Sequence, residues 1–500
     1  MKRAILALLL CVCMTASLIL LLPSCGKQDE EKQTDPVKVT DETRPDEQGT
    51  REAETAPVIT HWEAKVPDSV DLSGKTLTIM TYANANEVWY DVDFDIATYT
   101  GDEINDAAFN RLNYAEEKTK VDIVAVKGEG YGQESMKKEV VSGGSNHYDC
   151  GMVFARGACT LAEEDYLVDL NEYGSLELDQ PWWDQDARND LSVNHKSYMI
   201  AGDISIMYRK SLRVLYFNKE VMEEMTDVTS PYVLVDNGNW TIAKLSDIAR
   251  AASKDLDGDG EYKPALDRFG ILGTVDTFTT MMVGANVRSV VKDEDDLPVP
   301  SYYSAETVDI FDQICDLMYD KTAAVHANVE GIDVVTQFMN NQGLFASIEL
   351  HNLVKLRQMT TNFGILPNPK ADEFQDRYWS TINAHVAAML VIPTTSMDEE
   401  KTSIVLDVLA AESKNVLTPA YYERFLQGKA ARDEESQESL DIIFHNVAFD
   451  LGVIYNWGGI GVLTQNMSRQ YNSNLTSEYE KIGDTFEREL EKTIDSYLSR

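Results

Sequence analysis

Runs of β-branched residues that alternate with stretches of helical spacing set the strongest limit on what this chain can fold into. Lys75 to Thr81 (KTLTIMT) and Val121 to Val126 (VDIVAV) read as strands, since branched side chains pack well on a pleated surface. Between them, Asn105 to Lys120 places Ala108, Leu112 and Ala115 on one helical face. A second helix is expected near Gln133 to Ser142, and a third strand at Tyr148 to Phe154 (YDCGMVF). The pattern returns around Leu215, at Phe269 to Leu272, Gly343 to Ile348, Phe363 to Leu366 and His385 to Ile392. Strands separated by helices of this length imply an α/β fold, with parallel strands and helices on both faces. The stretch Ser477 to Leu498 is amphipathic, with Tyr479, Ile482, Phe486, Leu490 and Ile494 aligned. With 500 residues the chain has room for roughly two to four domains.

The first 57 residues stand outside this pattern. Lys2 and Arg3 precede an apolar run from Ala4 to Leu22, then Pro23, Ser24, Cys25 and Gly26. A basic start, an apolar core and a small residue before a cleavage point describe a secretory signal over residues 1–24. Cys25, with Leu22 three positions before it, resembles a bacterial lipobox, in which Cys25 would carry lipid, palmitate included. Pro23 stands where such a box usually has a small residue. The competing reading is an uncleaved membrane anchor, because the run is about long enough to span. Residues 25–57 follow as a disordered tether. From Gly26 to Pro57 there are ten acids, five bases, no aromatic residue and only Val37 and Val39 as large aliphatics. So little apolar surface cannot offset the entropy of ordering.

Charge narrows the partners. The chain carries 84 Asp and Glu against 44 Lys and Arg, a formal charge of -40. Nucleic-acid binding is disfavoured, because phosphate neutralisation needs clustered bases, and so is adhesion to anionic lipid through a basic patch. Lipid on Cys25 would then be what holds the protein at a membrane. Past the tether only Cys150, Cys159 and Cys315 remain, too few for a disulfide framework and without a CxxC pair. Buried small hydrophobes are one reading of them, and a Cys150–Cys159 bridge is the other.

Catalytic signatures are sparse. The seven histidines show no HxxxH or HExxH spacing, and neither a GxSxG elbow nor a GxxxxGK[ST] phosphate loop occurs. Ser135 to Lys138 matches SxxK without its companion motifs, and Gly128-x-Gly130-x-Gly132 has too few features for a dinucleotide loop. No catalytic residue and no organic cofactor is assigned, and an enzyme is not expected.

Several local runs carry a resemblance. They are Tyr198-Met-Ile-Ala-Gly-Asp203, Leu215-Tyr-Phe-Asn-Lys219, Asn239-Trp-Thr241, Gly364-Ile-Leu-Pro367, Pro419-Ala-Tyr-Tyr422 and Arg432-Asp-Glu-Glu-Ser436. In this order, behind a lipobox and an acidic tether, they resemble the extracellular solute-binding lipoproteins (family 1, sugar-binding type) of bacterial ABC importers. The resemblance implies a two-lobe, periplasmic-binding-protein-like fold of type II. Each lobe would be a parallel-rich sheet flanked by helices, with a hinge between lobes and chain crossings near 205–212 and 380–385. Lobe 1 would comprise residues 72–208 plus about 384–440, and lobe 2 about 209–383 plus 441–500. It further implies a monomer on the outer face of the cell membrane that hands a solute, a sugar or oligosaccharide, to ABC permease subunits.

Asp255-Leu-Asp257-Gly-Asp259-Gly260-Glu261 matches the first half of an EF-hand loop. Carboxylates at alternate positions can converge on one hard cation. Position twelve is Leu266 and Asp267 follows it, so a structural Ca²⁺ would be held by Asp255, Asp257, Asp259, Glu261 and Asp267. The alternative is a helix-ending turn in which Asp and Gly serve loop geometry alone.

Sugar sites combine aromatic faces, which pack on pyranose C–H surfaces, with carboxylates that bind hydroxyls. Side chains just after strand ends are therefore the ligand candidates: Tyr82, Trp89, Tyr90, Arg156, Asp203, Glu349, Trp379 and Trp457. The resemblance places cleft contacts near Asp203, Glu349 and Trp379. Against each stands ordinary packing, capping or surface charge. Three functions stay open at this point: solute capture for an importer, a secreted hydrolase using paired carboxylates, and a surface sensory or adhesion receptor. Peptides remain possible ligands.

Overall fold

The computed structural model describes residues 61–81, 94–264, 266–426 and 434–500. The signal, Cys25, the tether, and Tyr82, Trp89 and Tyr90 lie outside the described residues.

The described strands are β1 (Thr76–Thr81), β2 (Asp122–Lys127), β3 (Cys150–Phe154), β4 (Leu212–Asn218), β5 (Phe269–Gly273), β6 (Val290–Lys292), β7 (Pro298–Pro300), β8 (Ala324–His326), β9 (Gly343–Glu349), β10 (Phe363–Leu366), β11 (Ser380–Ile382), β12 (Ala388–Val391) and β13 (Val447–Ala448). They form two main sheets, one for each lobe of a two-lobe α/β fold. The first has the order β12-β3-β1-β2. The second has the order β13-β11-β4-β9-β5-β8, with β10 also paired to β4, and β6 and β7 form a separate hairpin. The chain leaves the first sheet after β3 for β4, and returns from β11 to β12. It passes to the second sheet again between β12 and β13.

The alternation of strands and helices holds, but the sheets are mixed. β1 runs parallel to β2 and β3, and β5 parallel to β8 and β9. β12 is antiparallel to β3, and β4 is antiparallel to β9, β10 and β11. β4 is the first strand after the crossing, so no βαβ connection fixes its direction. The strand expected from His385 begins only at Ala388, because the Val386 and Ala387 N–H groups both turn back to the Asn383 carbonyl.

Helix Glu103–Thr119 starts where Asp102 accepts from the Ile104 and Asn105 N–H groups, and it buries Ala107, Ala108, Arg111, Leu112 and Ala115. Arg111 is fully buried and donates to the Ile204 carbonyl at 2.5 Å and to Ser413 Oγ at 2.8 Å. It thereby ties this helix to the first crossing and to a distant turn. That turn, Ser413–Leu417, is π-helical and joins the buried helix Glu399–Glu412 to helix Thr418–Leu426. In the second lobe, helix Ile242–Ala252 lies against β5 so closely that a β-carbon on Gly270 would overlap the Ala249 carbonyl group. Cys150, Cys159 and Cys315 are buried free thiols, which removes the bridge and leaves the packing reading. Among the described residues, no helix is long and apolar enough to cross a membrane.

Candidate functional site

A pocket of about 580 Å³ opens beside the first crossing. On one side it is lined by Trp183, Gly202 and Asp203, by Arg209 of the short helix Met207–Lys210, and by Lys414, Thr418, Tyr421 and Tyr422. Asp441, Phe444 and His445 line the other side, on helix Glu434–His445. Helix Thr418–Leu426 packs on helix Glu103–Thr119 of the first lobe, whereas helix Glu434–His445 packs on β10 of the second. The pocket therefore lies between elements attached to different sheets.

Its floor is an ionic cluster. Asp203 is 3% exposed, and Oδ1 accepts from Arg209 Nη2 at 3.0 Å and from Thr418 Oγ1 at 2.7 Å. Lys414 Nζ reaches Oδ2 at 3.3 Å. The π-helical turn brings Lys414 and Thr418 onto this one carboxylate. The Arg209 guanidinium also lies over the Tyr208 ring at 4.8 Å and the Phe444 ring at 5.8 Å. Burial works against its charge, but Tyr208, Asp203 and Asp184 outweigh burial and raise its pKa. On the wall, Asp184 caps helix Gln185–Leu191 by accepting from the Ala187 N–H at 2.9 Å, and burial pushes its carboxyl up. Burial also raises Asp186, partly offset by Arg377 and His445. Tyr422 Oη donates to Asp441 Oδ1 at 2.9 Å, fixing an aromatic edge across the opening. Aromatic faces set among carboxylates and fixed donors suit a polyhydroxy ligand.

Of the sequence-predicted ligand residues, Asp203 is in this pocket. Arg156 is elsewhere, on a cavity of about 20 Å³ that it shares with Arg213, Asp276, Asn383 and His385. It donates to the Val453 carbonyl at 2.8 Å and sits 3.0 Å from His385 Nε2. Glu349 belongs to the same network: its Oε1 accepts from Arg213 at 2.7 Å and from Asn383 at 3.0 Å. The cavity holds about one water, too small for a sugar. Trp379 is half-buried and lies outside this pocket, with the guanidinium groups of Arg288 and Arg377 over its ring at 4.7 and 5.1 Å. Trp457 is 2% exposed, stacked on Tyr455 and bonded through Nε1 to Thr493 Oγ1, so it is core. Trp183, Tyr421, Tyr422 and Phe444, which do line the pocket, went unpredicted. The Tyr421–Tyr422 pair was visible in the sequence, but nothing there says which way it faces.

In the acidic loop three of the five carboxylates gather. Carboxylate oxygens of Asp255, Asp257 and Asp267 lie within 4.8 Å of one another. Asp255 accepts from the Gly258 and Gly260 N–H groups, and Asp267 from those of Leu256 and Lys263. The Lys263 and Leu256 N–H groups are what hold the Asp267 carboxyl below its usual range. Asp259 and Glu261 do not join: both are paired with Lys263, whose ammonium neutralises them from four and two residues away.

No protein-family model and no curated protein matches this chain. Solved structures share its fold. The sugar-binding protein MalE from Xanthomonas citri aligns with a TM-score of 0.56 at 13% identity, over 82% of this chain and 98% of that one. UgpB from Mycobacterium tuberculosis, in complex with glycerophosphocholine, gives 0.53 at 15%, over 77% and 96%. The cyclic alpha-maltosyl-1,6-maltose binding protein from Arthrobacter globiformis gives 0.52 at 12%, over 84% and 97%. At these identities the likeness establishes the two-lobe binding-protein fold.

Proposed function

We propose that this chain is the substrate-binding protein of an ABC importer, and that it captures a sugar or oligosaccharide in the pocket between its lobes. One observation carries the reading: Trp183, Tyr421, Tyr422 and Phe444 stand among Asp184, Asp186 and Asp441 where elements of the two sheets face each other. Likeness in fold to sugar-binding proteins supports it. Closure of the lobes on ligand would shift an open–closed equilibrium, and the closed form would be presented to the permease without any covalent step. The protein acts as a monomer held at the outer face of the membrane by lipid on Cys25, so a Cys25→Ser variant should leave the membrane fraction.

A panel of mono- and oligosaccharides tests the function. A bound sugar at a hundred times its Kd should stabilise the fold by about 2.7 kcal/mol, read as a rise in Tm. Chromatography should return it unaltered. Turnover of the sugar defeats this reading in favour of a hydrolase, and a response to peptides alone changes the ligand class.

For the acidic loop we propose a structural Ca²⁺ on Asp255, Asp257 and Asp267. Millimolar Ca²⁺ should raise Tm and a chelator should reverse the rise. Asp267→Asn should abolish the response, and Asp259→Asn should keep it. Equal responses of both variants would rule out this ligand set.

A further inference from the structure

A buried carboxylate behind the pocket forms no ion pair among the described residues. Asp407, on helix Glu399–Glu412, is 3% exposed. Its Oδ1 accepts from Trp183 Nε1 at 2.9 Å and from Trp182 Nε1 at 3.0 Å. Its Oδ2 accepts from the Glu177 N–H at 2.9 Å. Three donors converge on one side chain, and one of them belongs to the indole that walls the pocket.

We propose that Asp407 is a positioning residue for ligand: its carboxylate clamps the Trp183 indole in the pocket wall, and grip on ligand weakens when that clamp takes up a proton. This rests on the pocket being the ligand site. Trp183 is held from the opposite side by Gly202, with which it forms an isolated bridge. A β-carbon on Gly202 would come within 2.8 Å of Trp183 Cε3, so the indole has a fixed seat with Asp407 at one end and bare backbone at the other. A proton on Oδ1 would oppose both indole donors. On Oδ2 it would need an acceptor, where the structure gives that oxygen the Glu177 N–H donor.

The surroundings leave the carboxylate sensitive to pH. Glu177 is the charged group facing it from the segment that carries the indoles, and Lys65 pairs with Glu177 at 3.4 Å. On helix Glu103–Thr119, packed alongside, Arg111 is turned to Ile204 and Ser413. On its own helix, Lys401 is turned to the Thr76 carbonyl and Asp149. Burial pushes the Asp407 carboxyl up to about 6, against the hydrogen bonds that favour its charge. Because this lies above the unfolded value, acidification through pH 6 adds to the stability of the fold as far as this group is concerned. Affinity should therefore fall while Tm does not.

Two measurements test the proposal, affinity for malto-oligosaccharides of two to six units and the indole N–H resonances of ¹⁵N-tryptophan-labelled protein, both from pH 5 to 7.5. In wild type the Trp182 and Trp183 resonances should titrate near pH 6, and affinity should fall through the same point. Asp407→Asn should bind about tenfold more weakly at pH 7.5, a change typical of coupling through a packed neighbour. Every other titratable group of the pocket is common to both proteins, so the difference between the two pH profiles isolates Asp407. In a Trp183→Phe background the Asp407 substitution should change affinity less than about twofold, as a double-mutant cycle requires. Wild-type affinity in a folded Asp407→Asn protein, or resonances that do not titrate, would overturn the proposal. If the resonances titrate but no sugar binds, the clamp stands and the sugar reading of the pocket fails.

Discussion

Arg213→Met should lower the stability of the fold by about 3 kcal/mol, the low end for breaking a buried pair, because the half-buried Glu349 and Asp276 carboxylates lose their partner. Arg213 lies on β4, the first strand after the crossing, and its Nη2 holds Asp276 Oδ2 at 2.9 Å and Glu349 Oε1 at 2.7 Å. Asp276 accepts from Gln465 on its other oxygen, and Glu349 is shared with Asn383. Neither neighbour carries a compensating charge. Burial alone would raise the Glu349 carboxyl, and Arg213 is the largest of the influences that bring it below the usual value. In wild type that depressed value stabilises the fold above the unfolded pKa of about 4.3, and the benefit is lost as pH falls through the native value. The variant reverses the sign: without Arg213, burial favours the protonated Glu349 carboxyl, so acidification recovers part of the loss. Urea unfolding at pH 5 and pH 7.5 should show the gap between variant and wild type shrinking at the lower pH. An equal gap at both would assign the loss to packing instead.

Gly270→Ala is the second large effect, about 3 kcal/mol. The added methyl would meet the Ala249 carbonyl, which is backbone inside helix Ile242–Ala252 and cannot rotate aside. That helix would have to lift off β5, opening contacts along the second sheet. A lowered urea midpoint with an unchanged slope is the expected result. A midpoint within error of wild type would mean that the helix is free to shift.

Local chemistry explains what could be read from the sequence. KTLTIMT, VDIVAV and the run at Phe363 to Leu366 are apolar or β-branched over a strand's length, and each lies on a strand. Short strands such as β11 and β13 carry three and two residues, too few for a period to register. The antiparallel course of β4 depends on where the chain crosses, which no local run encodes. The pocket was harder still, because it is built from residues 181–209, 414–422 and 441–445, brought together only by packing. Tryptophan is a poor guide to it: Trp457 and Trp183 are equally buried, yet one is core and the other walls the pocket. Asp259 and Glu261 show a similar limit, since a lysine two or four residues on can claim a carboxylate that spacing alone assigns to a metal.

The π-helical turn at Ser413–Leu417 absorbs one residue more than an α-helical turn would hold. Removing one residue there, such as Val416, would let the helix continue as plain α. The helix that follows would keep nearly the same angle around its axis. Thr418 would stay beside Asp203, and Tyr421 and Tyr422 at the opening. Among relatives, a one-residue gap at this turn would therefore be compatible with the same pocket.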